Sequence, residues 1–528
     1  MRIIRAMQFT PAPHTTQNWH LEKPAASGRR GMVVAQAKSA AEAGVAVLDA
    51  GGNAIDAAVA TALALATLEP WNSGLGGIGH ALIHRAGEAR ADAVDFGPTA
   101  PAALDPSRFK LTGKVAADLF GWPQVEGDGN IHGPLSFVIP SAVAGYSEMH
   151  KRWGKLPLSE LAAPAIALAK RGLPQDWHTT LKVANSAAIL RLYPESARVY
   201  LRDGLPPIAP YQGGLSYFRQ GRLPETLERL AQAGWRDFYE GEIAAAIAAD
   251  VKQMGGVLSA DDLRGCKARV MQAVEYSWRG RTLQLTGPLT AAPTAADVLR
   301  QMDVRFGGAP DAAWYVALAR ALKAAYARRL TSLGDAEPQA AESCTTHITV
   351  ADADGTMVAM TTTLLSSMGS RVVLPQTGVL MNNGVMWFDP SPGKPNSIAP
   401  GKRPLTNMFP IILRDGAQPW IAAGASGGRR IMASVLQLMS FVADFGMSPS
   451  AAAHQPRIDV SDPDKVTADR RLAPDILRAL EADGPVEIVE HGVIPLNFAC
   501  PNLIAQADGT RTGISDAASP WSGAVAQA

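Results

Sequence analysis

The sequence predicts a mixed α and β protein with an antiparallel sheet, helix-rich over its first two-thirds and strand-rich over its last third. Three observations carry this reading. Between 141 and 330 the chain is dominated by Ala- and Leu-rich stretches with helical patterning, such as 159–169 and 242–252. From Thr345 onward the texture changes to short β-type runs at 347–350, 357–364, 372–374 and 379–381. Asp354-Gly355, between the first two of these runs, is a strong hairpin signal.

The elements follow in order. Residues 1–28 read as an irregular arm, in which Pro11, Pro13, His14 and Asn18 interrupt the apolar stretch that a secretory signal would need. From 39 to 68 the chain reads as two helices, the first stopped at Gly51-Gly52 and the second capped by Asn53. The second is apolar nearly all round (Ala54, Ile55, Ala57, Ala58, Val59, Ala60), so burial on every side is expected. It carries Asp56 and falls short of the roughly 20 residues that span a bilayer. A glycine loop at 73–79 leads into a short strand at 81–83. Later, 410–413 and 420–423 read as strands and 431–445 as a helix.

With 528 residues, 47% of them hydrophobic and 18% charged, the chain can bury one large core or several. The 49 basic and 48 acidic residues nearly cancel, and no Lys/Arg run marks a nucleic-acid or membrane partner. Cys266, Cys344 and Cys500 are too scattered for a zinc cluster or a disulfide framework, which fits the reducing cytoplasm. The ten histidines show no metal-ligand spacing, so neither a metal nor another cofactor is expected.

Four motifs bear on chemistry. Gly74-x-Gly76-x-x-Gly79 matches a dinucleotide fingerprint as a string, but a helix precedes it and a strand follows, the inverse of the required context. Gly424-Ala425-Ser426-Gly427-Gly428 matches G-x-S-x-G between a strand and a helix, with Asp444 or Asp459 and then His491 available to complete a triad. The same five residues also suit a glycine turn whose N–H groups form an oxyanion hole, and local pattern leaves both readings open. Cys344-Thr345-Thr346-His347 opens the strand-rich part. A threonine hydroxyl needs a base beside it, and its own α-amine, with pKa about 7.7–8.0, could serve if the chain were cut before Thr345. In a strand, Thr361 and Thr363 would share a face, and one of the two is expected to point toward Thr345.

Several blocks in order resemble the γ-glutamyltranspeptidase family, over about 31–513. They are Gly31-Met32-Val33-Val34, Gly51 through Ala58, Glu69-Pro70, Ser73 through Gly77, Pro140 through Gly145, Trp153 through Pro157, Thr345-Thr346-His347, Gly378 through Asn383, Lys402-Arg403-Pro404-Leu405 and Gly424 through Gly428. The resemblance implies a four-layer αββα sandwich of the N-terminal-nucleophile hydrolase type, with two stacked, mostly antiparallel sheets flanked by helices. It implies self-cleavage between Cys344 and Thr345 into a large subunit (29–344) and a small one (345–528) that share one core, with a dimer of such heterodimers as a further expectation. Thr345 would be the nucleophile, Thr363 would orient it, and Gly427 and Gly428 would hold the oxyanion, which sets Ser426 aside as nucleophile.

The chain departs from the family where γ-glutamyl substrates are gripped. Gly97 stands in place of the arginine after Asp95-Phe96, Leu365 in place of an Asn or Glu, Trp387 in place of an aspartate, and Thr406-Asn407 in place of a serine pair. An unpaired buried carboxylate would cost several kcal/mol, so glutathione is not the expected substrate. Arg371 and Arg429 are new cations that could bind a carboxylate from another direction, beside Asn383 and an apolar wall of Leu365, Met386 and Trp387. The stretch between Phe388 and Lys402 is short, so an open site is expected. The expected reaction is hydrolysis of a small acid amide such as oxamate. A γ-glutamyltransferase or glutathione hydrolase with a rebuilt clamp, a β-lactam side-chain acylase, a Ser426 hydrolase and an unprocessed binding protein are the alternatives.

Overall fold

The computed structural model describes residues 21–116, 121–302, 307–332, 343–462, 464–492 and 497–528. Residues 1–20 of the expected arm lie outside this range. Two seven-stranded sheets organise the molecule. Their strands, in chain order, are β1 (Ala26–Gly28), β2 (Met32–Ala35), β3 (Ile78–His84), β4 (Asp92–Phe96), β5 (Arg269–Gln272), β6 (Val274–Trp278), β7 (Arg281–Leu285), β8 (Ser343–Ala351), β9 (Met357–Ser366), β10 (Ile411–Asp415), β11 (Gln418–Ser426), β12 (Cys500–Ala507), β13 (Thr510–Ser515) and β14 (Gly523–Ala526). One sheet runs β1-β13-β12-β11-β10-β7-β6 and the other β14-β2-β8-β9-β3-β4-β5. Every pairing within the two sheets is antiparallel.

The strand period of two sorts side chains into layers. Met32, Val34, Leu82, Met357 and Ala359 from one sheet meet Ile412, Ala422 and Ile504 from the other. The alternate residues Val33, Ile83, Val350, Val358 and Met360 pack outward on helices α1 (Lys38–Asp49) and α2 (Ala54–Leu68). Leu283, Ile411, Leu413 and Leu503 pack outward on α4 (Ala312–Ser332) and α5 (Arg430–Ala443). The result is the four-layer αββα sandwich. Each fully buried Leu, Ile or Phe in these layers contributes roughly 1.5–3 kcal/mol.

Helix α2 is buried along 14 of its 15 residues, as its all-round apolarity requires. Asn53 caps it in a reciprocal capping box with Asp56, and the Asp56 carboxylate also accepts N–H bonds from Lys155 and Leu156.

Several sequence expectations need correction. Ala26–Gly28, assigned to the irregular arm, is an edge strand paired with Thr510–Ser515. The runs at 372–374 and 379–381 form no strand; single bridges join Val373 to Leu380 and Gly76 to Met381. Strands β5–β7 lie inside the stretch read as helical, and β12–β13 were not foreseen. Strand β8 begins at Ser343, so the expected cleavage point falls inside a strand of the uncut chain.

At Gly424 an added Cβ would collide with the buried His347 ring of the facing sheet. Gly424→Ala should therefore lower stability by about 1–3 kcal/mol, read as a drop in Tm.

Candidate active site

Alternation along β8 sends consecutive residues to opposite layers. Thr345 and His347 face the second sheet, whereas Ile348 and Val350 face the helices and Thr346 meets the C-terminal end of α2. On β9 the facing residues match: Thr345 Oγ1 donates to Thr363 Oγ1 at 3.3 Å, and His347 Nδ1 lies 2.9 Å from Thr361 Oγ1. Burial pushes the His347 imidazole down to about 3, so it is neutral.

The register between the two strands slips at Thr345. Cys344 lies opposite Leu365, but Thr346 lies opposite Thr362, leaving one extra residue on β9. Leu365 consequently takes φ +88°, rare for a branched side chain, and its N–H donates to Thr363 Oγ1 at 2.8 Å. The Thr363 hydroxyl thus accepts from both the bulge and Thr345. Thr345 is 4% exposed and Thr363 fully buried, so this centre is covered in the uncut chain rather than open. Cys344 is defined here by its backbone pairing alone.

Past Ser426, Gly427 and Gly428 adopt φ +138° and +59° and turn β11 into α5. A Cβ on Gly427 would sit 2.7 Å from Ala499 Cα, so only glycine fits there. Among the described residues neither glycine N–H is taken by a protein acceptor. Ser426 Oγ accepts a hydrogen bond from Gln36 Nε2. The residues that could have completed a serine triad lie elsewhere. His491 Nε2 sits 3.0 Å from Asp469, in a cavity of about 540 Å³ with Arg457 and Asp516. Asp444 accepts from Trp278, and Asp459 accepts from Ser461.

The other sequence-predicted residues divide. Leu365, Met386 and Trp387 join one buried apolar cluster with Ile78 and Val385. Arg371 Nη1 donates to Ser366 Oγ at 2.8 Å and Gly369 O at 2.7 Å, and Asn383 Nδ2 donates to the same serine at 2.8 Å; these groups hold the turn after β9. Thr406 Oγ1 donates to Leu289 O. Asn407 Oδ1 accepts from Arg329 Nη2 at 3.2 Å, which turns its NH₂ group away from that guanidinium. Arg329, buried on α4 and pushed down to about 10 by that burial, also donates to Thr406 O at 2.8 Å. Tyr326, one turn earlier, donates to the Arg429 carbonyl. Among the described residues no group of three His, Cys, Asp or Glu could hold a metal ion, and no helix is long and apolar enough to cross a membrane.

Sequence reasoning gave no role to Glu69, the C-cap of α2. Its Oε2 accepts from Thr346 Oγ1 at 3.4 Å, and its Oε1 is buried with no hydrogen-bond partner among the described residues. Burial pushes the carboxyl up to about 7, against hydrogen bonds from Asn72 and Thr346 and the charge of Lys182 on helix α3 (Trp177–Leu190). An acid ending an all-apolar helix, against the helix dipole, was the available signal.

A family model described as gamma-glutamyltranspeptidase matches residues 40–343 and 336–519. The chain belongs to the gamma-glutamyltranspeptidase family. It is 29% identical to the glutathione hydrolase proenzyme of Escherichia coli (strain K12), over 92% of this chain and 90% of that one. It is 31% identical to the acylase ACY 1 proenzyme of Pseudomonas sp. (strain V22), over 95% and 94%. Its fold matches the crystal structure of cephalosporin acylase from Bacillus halodurans with a TM-score of 0.83, at 24% identity and over 98% and 99% of the two chains. As a member of this family the protein is an amide hydrolase or acyltransferase with an N-terminal nucleophile.

The raised Glu69 sets a pH test. Ordinary glutamate titrates near 4.5 and folded Glu69 near 7, so the folded state favours the protonated form. The associated stability is present below about 4.5 and lost as pH rises through 7, worth up to roughly 3 kcal/mol. Glu69→Gln, which cannot ionise, should gain in Tm relative to wild type between pH 5 and 8, in parallel thermal scans.

Proposed function

We propose that the chain cleaves itself before Thr345 and that the freed threonine hydrolyses the amide of a small acid such as oxamate. The observation that carries this reading is the 3.3 Å hydrogen bond between the Thr345 and Thr363 hydroxyls at the bulge of β8 and β9. In the first step Thr345 Oγ1 attacks the Cys344 carbonyl carbon, and its proton ends on the Thr345 nitrogen as the C–N bond breaks. The acyl group passes from nitrogen to oxygen, and water cleaves the ester to leave a free α-amine on Thr345. In turnover that amine takes the Oγ1 proton as the oxygen attacks the substrate carbonyl. The Gly427 and Gly428 N–H groups receive the oxyanion, collapse expels ammonia, and water releases the acid and restores Thr345.

The substrate reading rests on what surrounds the centre. The apolar Leu365, Met386 and Trp387 disfavour the charged α-amine of a glutamyl substrate. Asn407, Arg371 and Arg429 are the groups we assign to a carboxylate. The residues before and from Thr345 remain associated after cutting, because β2–β5 and β8, β9 and β14 share one sheet. Three dispersed cysteines suit a cytoplasmic setting. A second reading, amide hydrolysis on a larger acyl side chain, is favoured by the 31% identity to an acylase.

Denaturing mass spectrometry of purified protein should give two fragments that meet at the Cys344–Thr345 bond; Thr345→Ser should still process, and Thr345→Ala should remain one chain. Ammonia release should be seen with oxamate, while γ-glutamyl-p-nitroanilide should release no nitroaniline. The opposite pattern restores the γ-glutamyl reading. Ser426→Ala, which removes only the hydrogen bond from Gln36, should lose no more than about tenfold in activity; a fully processed Ser426→Ala enzyme with no activity would contradict the assignment of Thr345.

A further inference from the structure

A buried polar chain runs behind the reacting residues, on the helix side of β8. Thr346 Oγ1 donates to Glu69 Oε2 at 3.4 Å, the Asn72 backbone N–H donates to the Glu69 carbonyl at 2.9 Å, and the Asn72 amide donates to Gln36 Oε1 at 3.4 Å. Gln36 Nε2 continues to Ser426 Oγ and, at 3.3 Å, to Cys500 O. The chain therefore joins the residue after Thr345 to the residue before the paired glycines, across both sheets. Its central carboxyl is 1% exposed, ends a helix at the pole that repels negative charge, and has one oxygen without a hydrogen-bond partner among the described residues. Such a group costs stability, and apolar side chains of similar size would fill the same space without that cost.

From this placement, and resting on the reading of Thr345 as nucleophile, we infer that Glu69 is a positioning residue for self-cleavage and acyl transfer, acting through Thr346. The geometry gives the means. Thr345 lies where the β8–β9 register slips, so β-ladder bonds alone do not fix which way its side chain points. Thr346 is the next residue and faces the opposite layer. Tying its hydroxyl to Glu69 pins the strand from behind, and alternation then directs Thr345 Oγ1 onto Thr363. Glu69 touches no reacting atom. The link through Asn72 and Gln36 holds the strand that ends in Gly427 and Gly428 in the same frame.

The test compares freshly purified, uncut precursors of Glu69→Ala, Glu69→Gln, Thr346→Val, Thr346→Ser and the double variant Glu69→Ala/Thr346→Val, following conversion to two fragments by mass. Glu69→Ala and Thr346→Val should each slow conversion by about ten- to a hundredfold, the loss expected from misplacing a nucleophile by about 1 Å. The double variant should be no slower than the worse single one, because both changes break one link. Thr346→Ser should restore the wild-type rate, and Glu69→Gln, which keeps an acceptor, should fall between wild type and Glu69→Ala. In fully processed enzyme kcat should fall with KM within about twofold. Conversion of Glu69→Ala at the wild-type rate, or defects that multiply in the double variant, overturns the inference. If Glu69→Ala gives no near-UV circular dichroism of a packed core, Glu69→Gln and Thr346→Val decide by the same criteria. Cleavage of Thr345→Ala would instead sink the nucleophile assignment itself, so the two failures are distinguishable.

Discussion

Strand β8 is packed on both faces at once, and the architecture of the site depends on that. It lies inside its own sheet between β2 and β9, with the second sheet on one side and helix α2 on the other. A strand in that position has no free face, so every side chain has an assigned neighbour. His347 goes under Gly424, Ile348 and Val350 go under helices, and Asn502 Nδ2 donates to the His347 carbonyl from the opposite sheet at 2.6 Å. A shift of one residue would exchange all of these environments. The slip at Thr345 is the single place where the strand departs from regular pairing, and it is bounded on one side by this packing.

The groups gathered there are mostly neutral. Hydroxyls of Thr345, Thr361 and Thr363 and the uncharged His347 make up the centre. Charge stands one layer back: Glu69 behind β8, and Arg329 behind Thr406 and Asn407. Both charged groups are fully buried and both titrate away from their usual values in the direction burial dictates. A neutral inner layer lets a threonine hydroxyl lose its proton to an amine without competition from a stronger base. The outer charges orient polar groups that would otherwise rotate, as Arg329 does for the Asn407 amide.

What could be read in the sequence follows from whether a signal is local. Asn53 as a cap, Asp354-Gly355 as a hairpin and the burial of α2 are decided within a few residues, and each is found in the structure. That the face shared by Thr361 and Thr363 turns toward Thr345 was accessible from strand period and one hairpin, while the choice of Thr363 came from the family resemblance. Strands β5 and β7 find partners, β4 and β10, far along the chain, whereas β6 pairs, among the described residues, only with β7 across the Arg279-Gly280 turn, a local hairpin masked by half-exposed, polar-rich strands. The apolar runs at 372–374 and 379–381 have the composition of buried strands, yet their backbones form only isolated bridges, Val373 to Leu380 and Gly76 to Met381. Glu69 was quoted as part of a motif without a role, because its meaning depends on Thr346, 277 residues away.

The proposed loss of the glutamyl clamp is also a matter of space. Gly97 lies where γ-glutamyl enzymes carry an arginine, and a Cβ there would stand 2.9 Å from the His80 ring and from Arg403 Nη2. Neither neighbour can easily give way. Asp95 holds Arg403 with two hydrogen bonds, of 2.9 and 2.6 Å, and lies 3.4 Å from His80, which is itself 2% exposed. A bidentate pair of this kind is the strongest side-chain interaction available to either partner. Restoring an arginine at 97 would require breaking it, so the position has been filled as well as emptied. Leu365 and Trp387 are likewise packed, in one buried apolar cluster. Drift at isolated positions would leave holes. Packed substitutions support the reading of a site reshaped for an acid that carries no α-amine.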